Sequence, residues 1–95
     1  MLFTANVILS LETVLNNGAS LLPSGIKQIV GDFAAGESID IINSETKQVI
    51  AKGISQYSYR DLNKIKGQKS DQIDQLLGYC PSKVIVHRDD MVIIA

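Results

Sequence analysis

Twenty of the 95 residues are Ile or Val, while there are two Phe and no Trp. These β-branched residues fall into short blocks divided by Gly, Pro, Asn and Ser, which is the texture of a small β-rich domain. The blocks are Asn6 to Leu9, Gly25 to Val30, Ser38 to Ile42, Gln48 to Gln56, Lys83 to His87 and Met91 to Ile94, so about six strands are expected. Gly53, inside the longest block, is expected to allow a bend or bulge. So few strands cannot make two proper layers, and the expected architecture is α+β and β-rich, a small mixed β-barrel with short helices.

Three helices are expected between the strands. The first is Leu11 to Asn17, with Ser10 as N-cap and Gly18 as its stop. The second starts at Ser58, which stands three residues before Asp61 in a capping-box spacing, buries Leu62 and Ile65, and ends at Gly67. The third runs from Asp71 to Leu77, capped by Ser70, with Ile73, Leu76 and Leu77 inward and Gly78 as its stop.

Length sets the functional bounds. Ninety-five residues make one domain, 1–95, too short for most folds that hold a nucleotide and a second substrate. Nine Lys and Arg against ten Asp and Glu give a net charge of −1, so attraction to nucleic acid has to come from a local patch. Cys80 has no partner for an internal disulfide, which fits a cytoplasmic protein. The apolar start, Met1 to Leu9, precedes the first basic residue, Lys27, and reads as a strand instead of a secretory signal. The longest apolar run, Met91 to Ala95, is far below the roughly 20 residues of a membrane helix, and no membrane association is expected.

The segment Gly18-Ala19-Ser20-Leu21-Leu22-Pro23-Ser24-Gly25-Ile26, followed by Gly31-Asp32-Phe33 and Gly36-Glu37, resembles the opening half of PUA domains. The resemblance narrows to the carboxyl-terminal PUA domain of bacterial glutamate 5-kinases through Ile50-Ala51-Lys52-Gly53, Tyr57-Ser58, Ile65-Lys66-Gly67, Leu77-Gly78-Tyr79 and Val86-His87-Arg88-Asp89-Asp90-Met91-Val92. Ile8-Leu9-Ser10-Leu11 stands where that family carries Asp-x-Gly-Ala. The resemblance implies a PUA-like barrel and a non-catalytic regulatory or assembly role in proline biosynthesis. There the whole kinase phosphorylates the γ-carboxylate of glutamate with ATP and is inhibited by proline. The implied partner is an amino-acid-kinase domain, which is outside these 95 residues. Self-association as a weak homo-oligomer through Met1, Leu2 and Phe3 is the expected substitute. The alternative is a free-standing RNA-binding module.

For RNA the candidate contacts are Gly18, Ser20 and Gly25, in a loop able to present backbone N–H groups to phosphate, and separately the basic residues Lys27, Lys64 and Lys66. The plainer reading of Gly18 to Gly25 is a turn with Leu21 and Leu22 buried. Lys64, Lys66 and Lys69, one turn after Arg60, are interleaved with Asp61, Asp71 and Asp74, as on a solvated helix surface. Tyr57 and Tyr59 can stack on bases, but two tyrosines beside a helix cap fit amphipathic packing better.

No catalytic residues, cofactor or metal are expected. His87-Arg88-Asp89 matches the start of a protein-kinase catalytic loop, yet position 94 is Ile where that motif needs Asn, and no Gly-rich loop accompanies it. It reads as a turn in which Asp89 or Asp90 bonds local backbone and Arg88 pairs with a carboxylate. Cys80 has one His in the chain to activate it and reads as a structural thiol. Cys80, His87, Asp89 and Asp90 fit no zinc spacing.

Overall fold

Burial of the β-branched blocks on one face of a sheet organises the chain. The computed structural model describes residues 5–10 and 20–94. The expected helix Leu11 to Asn17 and the apolar start Met1 to Phe3 lie outside them. The described residues form strands β1 (Asn6–Leu9), β2 (Ile26–Val30), β3 (Ser38–Ile42), β4 (Val49–Ile54) and β5 (Met91–Ile93), and helices α1 (Tyr59–Ile65) and α2 (Ile73–Leu77).

The strands make one mixed sheet in the order β2-β1-β3-β4-β5, with β1 and β3 parallel and every other pair antiparallel. Strand alternation places Val7, Ile41 and Ala51 across one face, all fully buried, with Ile29 and Ile93 at either end packed against the core. Leu62 and Ile65 of α1 and Ile73 of α2 cover that face. Ser58 caps α1 as its spacing predicts, its Oγ accepting from the Asp61 N–H at 3.3 Å.

The expected sixth strand does not form a ladder. Within Lys83 to His87 only Val86 pairs, in a single antiparallel bridge to Leu21. Ser82 is one reason: its Oγ accepts from the Val84 N–H and donates to the Val84 carbonyl, so both groups are tied locally. On the other side Pro23, which has no N–H, opens a 3-10 turn two residues beyond Leu21. No ladder joins β2 to β5 among the described residues, so the sheet is open where a barrel would close.

Two helical details also differ from expectation. Ser70 does not cap a helix over Asp71 to Leu77; its Oγ donates to the Lys83 carbonyl at 2.9 Å. A 3-10 turn, Ser70–Gln72, leads into the short α2 instead. On so short a helix only the i, i+4 ridge of Ile73 and Leu77 reaches the core, and Leu76 is left exposed. Gly78 ends α2 in the left-handed conformation at φ 81°, as expected of a C-terminal stop.

Gly53 makes room rather than a bend. The bulge in β4 lies earlier, where Ile41 pairs with Ala51 and Ile42 with Val49, leaving Ile50 as the extra residue. At Gly53 a Cβ would stand 2.4 Å from Val86 Cγ1 and 3.1 Å from the Asp90 carbonyl oxygen. Val86 is fully buried and has nowhere to retreat. Gly53→Ala is therefore expected to lower stability by about 1–3 kcal/mol, read as a lower urea midpoint with unchanged slope; an unchanged midpoint would refute the close approach.

Candidate functional site

The loop from Ser20 to Ile26 is held at both ends by backbone bonds. Leu21 donates to the Val86 carbonyl at 2.9 Å and accepts from the Ile85 N–H at 2.7 Å. Gly25 N–H closes the 3-10 turn on Leu22 at 3.1 Å, and the Gly25 carbonyl accepts from Ser10 N–H at 2.9 Å. The turn reading accounts for Gly25, whose N–H is already engaged. Leu21 is buried as expected, whereas Leu22 is 45% exposed because Pro23, not Leu22, turns inward. Gly18 lies outside the described residues.

This loop touches two neighbours. At its start Ser20 Oγ accepts from the Arg88 N–H at 3.1 Å. Towards its end the Pro23 carbonyl accepts from Gly67 N–H at 2.7 Å, with Gly67 at φ 77° turning the chain out of α1. That bond sets the carboxyl end of α1, with exposed Lys64 and half-buried Lys66, beside the start of β2, where Lys27 is exposed. Lys66 Nζ donates to Asn63 Oδ1 at 3.1 Å. The structure thus ties Ser20 to the turn before β5 and the other end of the loop to the carboxyl end of α1, the helix that carries Lys64.

Of the interleaved acids, Asp61 is engaged: its carboxylate accepts from the Tyr79 hydroxyl, which holds the Tyr79 proton more tightly than usual. Asp71 and Asp74 are exposed. Tyr59 packs half-buried against the core, its ring 6.3 Å from that of Phe33, with the Arg60 guanidinium 5.7 Å from the Tyr59 ring centroid. Tyr57 is fully buried. Neither tyrosine offers a free stacking face.

His87 to Asp90 is a turn, with the roles redistributed. His87 Nδ1 accepts from Asp89 N–H at 3.2 Å and caps the 3-10 turn Arg88–Asp90. Asp89 Oδ2 lies 3.5 Å from the same nitrogen. Among the described residues Arg88 forms no ion pair; its backbone, not its guanidinium, does the anchoring to Ser20. Cys80 Sγ donates to the Ser82 carbonyl at 3.4 Å, while His87 is committed to Asp89, so thiol and imidazole are not paired. No group of three or more His, Cys, Asp or Glu suited to a metal is present among the described residues, and none of their helices is long and apolar enough to cross a membrane.

The contact that sequence reasoning missed is Tyr57 with Ser82. The Tyr57 hydroxyl donates to the Ser82 carbonyl and accepts from the Ser82 N–H at 3.2 Å, across 25 positions of chain. No local pattern announces such a pairing.

The described residues thus form a mixed sheet with short helices on one face, with the 20–26 loop bonded to the end of α1 and to the turn before the last strand. Residues 10–77 match the PUA domain family, and the chain belongs to it. More particularly, it matches the carboxyl-terminal ~85 residues of glutamate 5-kinases at 37–51% identity. It is 51% identical over 82 residues to the glutamate 5-kinase of Klebsiella pneumoniae, covering 86% of this chain and 22% of the kinase. With that of Sinorhizobium fredii identity is 44% over 84 residues, 88% of this chain and 21% of the kinase. The chain therefore spans about a fifth of the length of these relatives. In fold it is similar to the crystal structure of a PUA domain from Aeropyrum pernix, with a TM-score of 0.60 at 15% identity, covering 88% of this chain and 41% of that one.

Burial raises the Tyr57 pKa above its usual value of 10.0, with the neighbouring Cys80 and Tyr79 acting in the same direction and the Ser82 backbone bond opposing them. The unfolded chain then loses the tyrosine proton first, so this contribution is fully present below about pH 10 and disappears as pH rises through the folded pKa. Urea titrations from pH 8 to 11 are expected to show stability falling above about pH 10, with a smaller fall in Tyr57→Phe. Equal alkaline slopes for the two proteins would refute the assignment.

Proposed function

We propose that this PUA domain is a non-catalytic regulatory or assembly module of a glutamate 5-kinase-type protein, working in the cytoplasm beside an amino-acid-kinase domain. The observation that carries the reading is the 51% identity over 82 residues, confined to one end of a much longer kinase. In that setting the chemistry, phosphorylation of the γ-carboxylate of glutamate by ATP, belongs to the amino-acid-kinase domain. This domain tunes how that chemistry responds to proline.

The test is a Klebsiella pneumoniae glutamate 5-kinase whose carboxyl-terminal segment is replaced by this chain. It is expected to turn over ATP and glutamate with a proline response different from that of the kinase with the segment deleted. A replacement indistinguishable from the deletion would remove the regulatory reading. The isolated chain is expected to give no turnover with ATP, Mg²⁺ and glutamate.

A second reading, RNA binding, draws on the exposed Lys27 and Lys64 and on the Gly67 to Pro23 bond that ties the end of α1 to the 20–26 loop. With a net charge of −1 such binding is weak and salt-sensitive. Fluorescence anisotropy with a structured RNA is expected to show a salt slope that falls by about 2 when Lys27 and Lys64 are both changed to Glu. Submicromolar affinity at physiological salt, lost in that double variant, would make RNA the primary ligand.

A further inference from the structure

The sheet has a second face, opposite the helices. Register places Val30, Asn6, Asp40, Lys52 and Val92 in one row across it, from β2 to β5. In the next row Gln28, Ile8, Ile42 and Val49 are aligned on β2, β1, β3 and β4. Ile94, just past β5, continues that row, its N–H donating to the Ile50 carbonyl at 2.8 Å. Val92 is 67% exposed and Ile94 53%, so both rows end in an exposed apolar side chain at the β5 edge. In these two rows, among the described residues, the charged side chains are Asp40 and Lys52, one of each sign and 3.8 Å apart.

We infer that this face pairs with the same face of a second copy of the chain. The occupant follows from the charge pattern. A rotation of 180° about an axis lying along the strands, between β3 and β4, carries Asp40 over Lys52 of the second copy and Lys52 over its Asp40. The same rotation sets Ile42 over Val49, Ile8 over Ile94 and Asn6 over Val92, so apolar residues fall mainly on apolar residues. Any face lacking this pattern would leave at least one of the two charges buried against an uncharged or like-charged group, at a cost. Lys52 is free to turn outward, its side chain 59% exposed, whereas that of Asp40 is 17% exposed. Aligned sheet-on-sheet packing of this kind is the geometry of β-sandwich cores. The rotation overlays four of the five strands, β1, β3, β4 and β5, which at about 4.8 Å spacing make a face roughly 15–20 Å wide, below the standard size of specific interfaces. The association is accordingly weak and concentration-dependent.

Sedimentation equilibrium of the full chain tests it. A monomer–dimer equilibrium with Kd on the order of 10–100 µM is expected. Lys52→Glu and Asp40→Lys are each expected to weaken association about tenfold or more, because attraction across the axis becomes repulsion at two symmetric places. An equimolar mixture of the two variants is expected to regain dimer, since each then offers the sign that the other lacks. A purely internal Asp40–Lys52 pair predicts no such rescue. Far-UV circular dichroism checks that both variants fold, and Val92→Asp, at a side chain already in solvent, is expected to dissociate the dimer without unfolding it. A wild-type chain that stays monomeric at about 1 mM, variants that associate like wild type, or a mixture no stronger than its components overturns the inference.

Discussion

The approach of Val86 to β4 at Gly53 is the constraint on which the remaining packing depends. Because a hydrogen stands where any other residue has a side chain, the segment before the last strand lies directly on the sheet, with Val86 fully buried. From that position Val86 accepts from Leu21, Ile85 donates to Leu21, and Gln56 donates to Ile85. One close contact therefore lines up three stretches of chain that no continuous ladder joins. It also fixes where β5 begins, since the turn at His87 to Asp90 starts from Val86 and delivers Met91 opposite Gly53.

A second tie of the same kind comes from Tyr57. Its ring fills the core between β4 and α1, and its hydroxyl meets both backbone groups of Ser82. Without a partner that hydroxyl and those backbone groups would be costly to bury. Every buried side-chain polar atom among the described residues finds a partner, including Ser55, whose Oγ bonds both backbone groups of Tyr57. The 57–90 stretch is thus held to the sheet by these polar contacts together with the buried side chains of Tyr57, Leu62, Ile65, Ile73, Ile85 and Val86.

The positions most open to partners are where these constraints relax. The 20–26 loop is bonded both to the carboxyl end of α1 and to the turn before β5. The sheet face opposite the helices carries the Asp40–Lys52 pair between half-buried and exposed apolar side chains. Membership of the PUA family and the close match to the end of glutamate 5-kinases give the domain its setting.

Five of the six β-branched blocks are strands, because two-residue alternation and flanking Gly and Pro are local properties that a linear reading captures. The Ser58 cap, the Gly78 stop and the PUA resemblance were legible for the same reason. The strand block at Lys83 to His87 failed, since whether an extended segment joins a ladder depends on a neighbour with free donors, and Pro23 and Ser82 withhold them. Gly53 was noticed but misread, because bend and close approach both call for glycine and only the position of Val86 separates them. The Tyr57–Ser82 bond joins residues 25 positions apart, and nothing in the intervening sequence encodes that distance. Sequence by itself determined the elements, their caps and the family, through short-range sterics and hydrogen bonding. Tertiary structure decided which faces stay open and which side chains meet, because those depend on how separate elements share one core.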